Sequence, residues 1–218
     1  MTSPTRMNRR IGGMHLERGP IIAWSVGIIS FAVISFFYLD IPIAYHFKAD
    51  RSYVRGFAGF ITKFGYGTWY FVGLSLLLVY FGYLNKKPRY FYSTLFIVVA
   101  AASAGVLNAL LKFVCGRYRP DALFSSSLYG FNLFSFEYAK TSFPSGHACF
   151  ITSLMLSLWL LFPRFGFLFM PFAMIVALSR VVTCVHYMSD VLFGSLLGFL
   201  ITLQVKRRFS KLEGINRG

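Results

Sequence analysis

Apolar residues in this chain come in long unbroken runs, neither alternating nor in helical stripes. Four stretches contain no Asp, Glu, Lys or Arg: Gly19–Leu39, Phe64–Asn85, Tyr90–Leu111 and Thr141–Pro163. Each meets the length of about 20 residues that a helix needs to cross the hydrocarbon layer. The region from Phe165 to Val205 is long enough for two crossings and is interrupted by Arg180, His186 and Asp190. It reads as a helical hairpin with those polar residues near its turn. The pattern therefore predicts an all-α protein, a bundle of six transmembrane helices. Two long loops are expected, Asp40–Lys63 and Lys112–Ser142, the second rich in Phe, Tyr and Ser. Gly194 and Gly198 form a GxxxG spacing in the last helix, a close-packing signal.

The first apolar run follows Arg6, Arg9, Arg10 and Arg18 and is too long for a cleavable leader, whose apolar part is about 7–15 residues. It is read as a retained helix. The chain then divides into a basic cytoplasmic segment (1–18), a membrane domain (19–205) and a basic cytoplasmic tail (206–218).

Composition agrees. Of 218 residues, 56% are hydrophobic and 13% charged, against about 25% charged in soluble domains, and the mean hydropathy is +0.62. The formal net charge of +15 would elsewhere suggest nucleic acid. Here the charges lie between the apolar runs, so the membrane surface is the expected partner and nucleic acid is not. Three cysteines, Cys115, Cys149 and Cys184, imply no disulfide framework. With six crossings, the side holding both termini carries 13 Lys and Arg and a net charge of +11. The other side carries 9 and a net charge of +4. The positive-inside rule places the termini in the cytoplasm.

In an up-and-down bundle the end of helix three, the start of four, the end of five and the start of six share one face. That face collects Lys112, Arg119, His147, Arg180, His186 and Asp190, and ionisable groups at such depth point to function. Three cations suit a tetrahedral phosphate dianion, which Arg forks match in particular. Pro144 fits the first turn of helix four, after which Ser145 and Gly146 offer backbone N–H groups to an anion. His186 and Asp190 stand four residues apart, on one face if helical. The carboxylate would then fix one ring nitrogen and leave the other nucleophilic. His147 is a second imidazole, suited to general-acid work. Taken singly, each has a structural reading: Lys112 as a snorkelling anchor, Arg119-Pro120 as a helix stop, Ser-Gly-His as a capped start, and His186 with Asp190 as a pair closing the hairpin. Four structural explanations meeting on one face is the poorer account. His15 and His46 lack such company and are expected at the surface.

These spacings resemble the three-part signature of the type 2 phosphatidic acid phosphatase (PAP2) family, K-x6-RP, PSGH and SR-x5-H-x3-D. Here they stand as Lys112-x6-Arg119-Pro120, Pro144-Ser145-Gly146-His147 and Ser179-Arg180-x5-His186-x3-Asp190, without gap or substitution. Ile61-Thr-Lys-Phe-Gly65 is similar to a weaker family element, so the resemblance spans residues 20–205. It implies a six-helix core and hydrolysis of a lipid phosphate ester or anhydride without metal or other cofactor. It further implies that His186 attacks phosphorus with Asp190 orienting it. His147 would protonate the leaving group, while Lys112, Arg119, Arg180, Ser145 and Gly146 hold the phosphoryl oxygens. Arg117, at a variable position, is expected to meet lipid headgroups, with a second substrate phosphate as the other reading. Gly116-Arg-Tyr-Arg-Pro120 and the stretch from Lys140 to Ala148 look most like bacterial enzymes acting on lipid A. Undecaprenyl pyrophosphate and phosphatidylglycerophosphate phosphatases are the alternatives. The implied place is the bacterial inner membrane, with the site facing outward. Two rival classes are weighed. One is a transporter of anionic lipid or phosphate; the other is a metal site on His147, His186 and Asp190, which three nearby cations would repel.

Overall fold

The computed structural model describes residues 18–49 and 53–215. Helix α1 (Arg18–Ile34) runs through a π-helical turn (Ser35–Leu39) into α2 (Asp40–Ala49), and the three form one apolar rod. After α3 (Tyr53–Ile61) and a tight turn (Thr62–Gly65), α4 (Gly67–Val79) continues in π form to Leu84. Next come α5 (Pro88–Cys115), the short α6 (Pro120–Ser126), α7 (Gly146–Leu161), α8 (Gly166–Val182) and α9 (Met188–Ile215). No strand occurs among the described residues, only an isolated bridge between Arg117 and Phe131. Among the described residues, five helical rods are long and apolar enough to span a membrane. With the shorter α7, they give the six-helix bundle that the apolar runs predict.

Helix α7 is the hub. Its 16 residues cover about 24 Å at 1.5 Å per residue, short of the membrane, and it is almost wholly buried from Ala148 to Ser157. A helix walled in by neighbours need not match the lipid thickness. Two prolines bound it: Pro163 follows it, and Pro144 stands just outside its first turn. The helix therefore starts at Gly146, with Ser145 as N-cap, and Pro144 is not the first-turn residue that the sequence suggests. Gly194 and Gly198 of α9 lie directly against the Ser145 and Cys149 backbones of α7, the close packing that their spacing predicts. Thr202 and Ser153 join the same two helices by a hydroxyl–hydroxyl bond of 2.8 Å. The core that follows is aliphatic, built on Ala100, Ala101, Ile151, Leu154, Val176 and Leu203. Outward, large apolar side chains such as Trp24, Phe37, Trp69 and Leu76 stand exposed, as a lipid-facing surface requires.

The expected loop at Asp40–Lys63 is mostly helix. Asp40 begins α2 instead of ending the ordered run, and α3 is an amphipathic segment leading to the second span. Asp40, Lys48 and Arg55, which interrupt the apolar pattern, lie within α2 and α3 and do not break them. The Lys112–Ser142 region holds the end of α5, all of α6 and an irregular stretch folded back on them. Phe134 and Ser135 donate backbone bonds to Val114 and Phe113. The three cysteines are free thiols. His46 is exposed, as expected, and His15 lies outside the described residues.

Candidate active site

The ends of α5, α7, α8 and α9 do converge on one face, and each brings a polar group. Helix α5 closes on Gly116, whose φ of 50° is left-handed and whose N–H caps the Lys112 carbonyl. A Cβ at Gly116 would collide with the Asn132 backbone. The turn sends the chain back so that Lys112, Arg117 and Arg119 face the bundle.

Lys112 Nζ donates to the Thr141 carbonyl at 2.6 Å, and Arg119 Nη2 donates to the same oxygen at 3.1 Å. Arg119 Nε also donates to the Tyr138 carbonyl at 2.8 Å, and its Nη1 to that of Val185 at 3.3 Å. Arg180 donates to Thr62 Oγ1 at 2.6 Å while its Nε is buried without a partner. Thr62 belongs to the Ile61–Gly65 element, whose local part in the site is therefore visible. Gly65 of the same turn faces the His147 ring closely enough that a Cβ would stand 2.5 Å from it. Tyr66 lies edge-on to that ring at 4.9 Å. His147 Nε2 is buried and unpartnered, and Lys112, Arg119 and Arg180 all act on the ring electrostatically.

His186 is not helical. It stands in the turn two residues ahead of α9, so its pairing with Asp190 does not arise from a shared helix face. Asp190 occupies the third position of α9 and its Oδ2 accepts the Tyr187 N–H at 3.0 Å, half of a capping box. That bond folds the carboxylate back beside the turn and places Oδ2 3.6 Å from His186 Nδ1. Ser142, which carries no family motif, donates to the same oxygen at 2.5 Å and lies 3.4 Å from Nδ1. The buried ring keeps Nδ1 on this side. Burial pushes the His186 pKa down to about 3; the nearby Asp190 carboxylate resists, and the Lys112 and Arg119 charges add to the push. The imidazole is neutral at pH 7.

Two placements depart from the sequence reading. The Ser145 backbone N–H is not free, because it donates to the Asp190 carbonyl at 3.0 Å. The Ser145 hydroxyl is buried without a partner instead. Arg117 does not reach headgroups: its side chain has no exposed surface and joins Asp190 Oδ1 at 2.5 Å to Asp40 Oδ2 at 2.8 Å. Burial alone would lower its pKa; the Asp190 and Asp40 carboxylates outweigh that and raise it above the ordinary guanidinium value. Asp40 and Ser142 are the residues that sequence reasoning missed. The one signal for Asp40 was a carboxylate directly after a membrane span, where acids are rare.

A helical membrane bundle with two imidazoles among three cations at one end describes a membrane phosphatase. The family model of the PAP2 superfamily matches residues 93–213, a stretch that carries all three motifs. The lipid A 1-phosphatase of Rhizobium johnstonii is 30% identical over 198 residues, 84% of this chain and 80% of that protein. The lipid A 1-phosphatase of Rhizobium etli is 29% identical over 194 residues, 82% of each. The crystal structure of a transmembrane PAP2-type phosphatidylglycerolphosphate phosphatase from Bacillus subtilis shares the fold, with a TM-score of 0.61 at 22% identity. It covers 88% of this chain and 95% of that one. The chain belongs to the PAP2 superfamily: it is a bacterial membrane lipid phosphatase.

Proposed function

We propose that the protein removes phosphate from lipid A, with the 1-phosphate as first candidate, through a phosphohistidine on His186. The observation that carries the mechanism is the asymmetry of the His186 ring. Nδ1 faces Asp190 and Ser142, so the Nε2 lone pair is left for phosphorus. In the first step Nε2 attacks, the P–O bond to the lipid breaks, and the departing oxygen takes a proton from His147. In the second, water attacks the P–N bond, gives its proton to His147, and inorganic phosphate leaves. Lys112, Arg119 and Arg180, with the Gly146 N–H and the Ser145 hydroxyl, balance the charge on the phosphoryl oxygens. These groups do the work that a metal ion does elsewhere, so EDTA should leave turnover intact.

The lipid A assignment is supported by the two Rhizobium relatives. A lipid substrate also suits a groove of about 500 Å³ lined by Thr62, Lys63, Phe64, Tyr66, Trp69 and Tyr70. It borders Thr62, which accepts from Arg180, and Tyr66, which packs on His147, and it reaches Trp69 and Tyr70 in the first turn of α4. The excess of positive charge on the side of the termini supports a site facing away from the cytoplasm, in the inner membrane.

Phosphate release by the purified protein from lipid A, undecaprenyl pyrophosphate and phosphatidylglycerophosphate, with EDTA present, tests the substrate. Preference for either alternative would replace lipid A. His186→Ala should abolish turnover without affecting the fold, and near-normal activity would sink the mechanism. His147→Ala should cost about 10²–10⁴-fold, the usual worth of a general acid. Part of that loss should return with a leaving group of low pKa. For orientation, single cysteines in the 112–142 region should react with an impermeant reagent on the outside of intact cells. Labelling only after the cells are opened would reverse the topology.

A further inference from the structure

We infer that Arg117 and Asp40 are positioning residues for the nucleophile: they hold Asp190 and set the charge it presents to His186. This rests on His186 being the nucleophile. Asp190 has two carboxylate oxygens with separate duties. Oδ2 faces His186, Ser142 and the Tyr187 N–H, while Oδ1 is given to Arg117 Nη1. Arg117 is in turn divided between two acids. Nη1 also donates to Ser189 Oγ at 2.7 Å; Nη2 donates to Asp40 Oδ2 and to Tyr129 Oη, both at 2.8 Å. All four Nη hydrogens thus find acceptors, and Nε is left without one.

Asp40 is itself held on both oxygens. Oδ1 accepts from Ser35 Oγ at 2.8 Å and from the Ser189 N–H at 3.0 Å, and Oδ2 accepts from the Ser189 hydroxyl. The Ser189 N–H belongs to the first turn of α9, where a carboxylate also suits the helix dipole. The guanidinium lies against the rings of Tyr187 (4.4 Å), Phe36 (4.7 Å) and Tyr129 (5.2 Å). Tyr129 Oη donates to the Phe36 carbonyl at 2.6 Å, closing the cage. One side chain therefore fastens the first helix, the loop after α6 and the start of α9 to the carboxylate behind the nucleophile.

The charge count explains why two acids are present. Asp190 alone beside Arg117 would be fully neutralised and would attract little positive charge on His186. Asp40 takes half of the guanidinium, leaving the trio with one net negative charge. That charge favours the cationic imidazole that forms once phosphorus is bonded to Nε2. Lysine could not replace Arg117, because a single ammonium lacks the fork that spans two carboxylates.

The test uses the full-length protein in detergent, with a short soluble phosphate ester as substrate and inorganic phosphate as competitive inhibitor. Asp40→Asn keeps the shape but removes the charge and one of the two oxygens that accept from Ser189. It should lower kcat about 10–100-fold, the usual effect of losing a group that orients a reacting ligand. KM and the inhibition constant of phosphate should stay unchanged; the melting temperature should fall, because Arg117 loses one of its two buried carboxylate partners. Arg117→Lys should lower kcat as well. A wild-type kcat in Asp40→Asn would overturn the inference; so would a parallel loss of phosphate affinity, which would place the pair in the phosphate pocket. If Asp40→Asn fails to accumulate, Ser189→Ala removes only a bridging hydroxyl. It should give a smaller kcat loss at constant KM, and a wild-type kcat there would equally overturn the idea. An active His186→Ala would instead remove the mechanism underneath. With His186→Ala inactive and Asp40→Asn normal, only this inference fails.

Discussion

At the scale of single residues, the His186 ring is governed by its surroundings more than by its own chemistry. In an unfolded chain imidazole protonates near pH 6.5; in the fold it does so only at about 3. Between those values the unfolded chain binds the extra proton, so stability rises with pH across the window. It is lost as pH falls from about 6.5 towards about 3. The melting temperature in detergent should drop with acid through this range, and His186→Gln should flatten the slope. An unchanged slope would assign the effect to another group. Ser142 offers a second check. Its hydroxyl bonds to the Asp190 carboxylate, and hydrogen bonds to charged groups are worth about 1.5–3 kcal/mol. Ser142→Ala should therefore lower kcat about 10–100-fold with little change in KM. A fall in affinity alone would mean that Ser142 touches substrate instead. Ser142 did not stand out in the sequence, and Arg117 stood out for another role. A serine has too many structural uses, and an arginine at a membrane boundary reads as a headgroup anchor until its carboxylate partners, 73 and 77 positions away, are seen.

Among the elements, the apolar runs were legible because a membrane span needs little beyond length and hydropathy. What the runs could not convey was where polar residues sit within helices. Asp40 broke the first run, yet α1 and α2 continue through it, since Ser35 and the start of α9 satisfy the carboxylate internally. The four-residue spacing of His186 and Asp190 suggested one helix face, yet the pair meets across a turn and a cap. The two residues do come together, by a different local geometry, because a capping carboxylate reaches back as far as a helical neighbour does. Gly194 and Gly198 were legible as packing residues, and that reading has a measurable edge. At Gly198 an added methyl would run into the Cys149 carbonyl, a backbone atom that cannot swing aside. Gly198→Ala should destabilise the protein by about 1–3 kcal/mol, the usual cost of overpacking. Thermal unfolding in detergent would measure it. An unchanged melting temperature would mean that α7 and α9 separate easily. The same change at Gly194, where an added methyl would stand 2.5 Å from the Ser145 carbonyl oxygen, should also reduce activity because it displaces the start of α7.

Across the whole molecule, the aromatic residues of α6 and of the stretch after it lie between two motif segments and sort by depth. Tyr129 is spent on the Arg117 cage, Phe124 packs beside Leu123, and Phe131 stacks on Phe36 at 5.5 Å. Tyr138 lies under Arg119 at 4.0 Å. That leaves Phe134 and Phe136, which reach Phe113 at 5.8 and 4.3 Å but stay 65% and 83% exposed. Both lie where the stretch folds back on the end of α5, with the Phe134 and Ser135 N–H groups bonded to the Val114 and Phe113 carbonyls, just beyond Lys112. Rings so exposed would gain nothing in water. Against an acyl chain of the substrate each could recover part of the 1.5–3 kcal/mol or so that burying a large side chain is worth. Even partial contact by both would change lipid affinity about tenfold, since 1.4 kcal/mol or so is one decade. Replacing Phe134 and Phe136 together by Ser should raise KM for a long-chain lipid phosphate by about that factor. Hydrolysis of a short, water-soluble phosphate ester should be nearly unchanged, because neither ring touches the cations or the imidazoles. Equal loss on both substrates would show that the two rings only brace the loop against Phe113. Unchanged KM on both would show that they anchor the loop in the headgroup layer, with no part in holding the substrate.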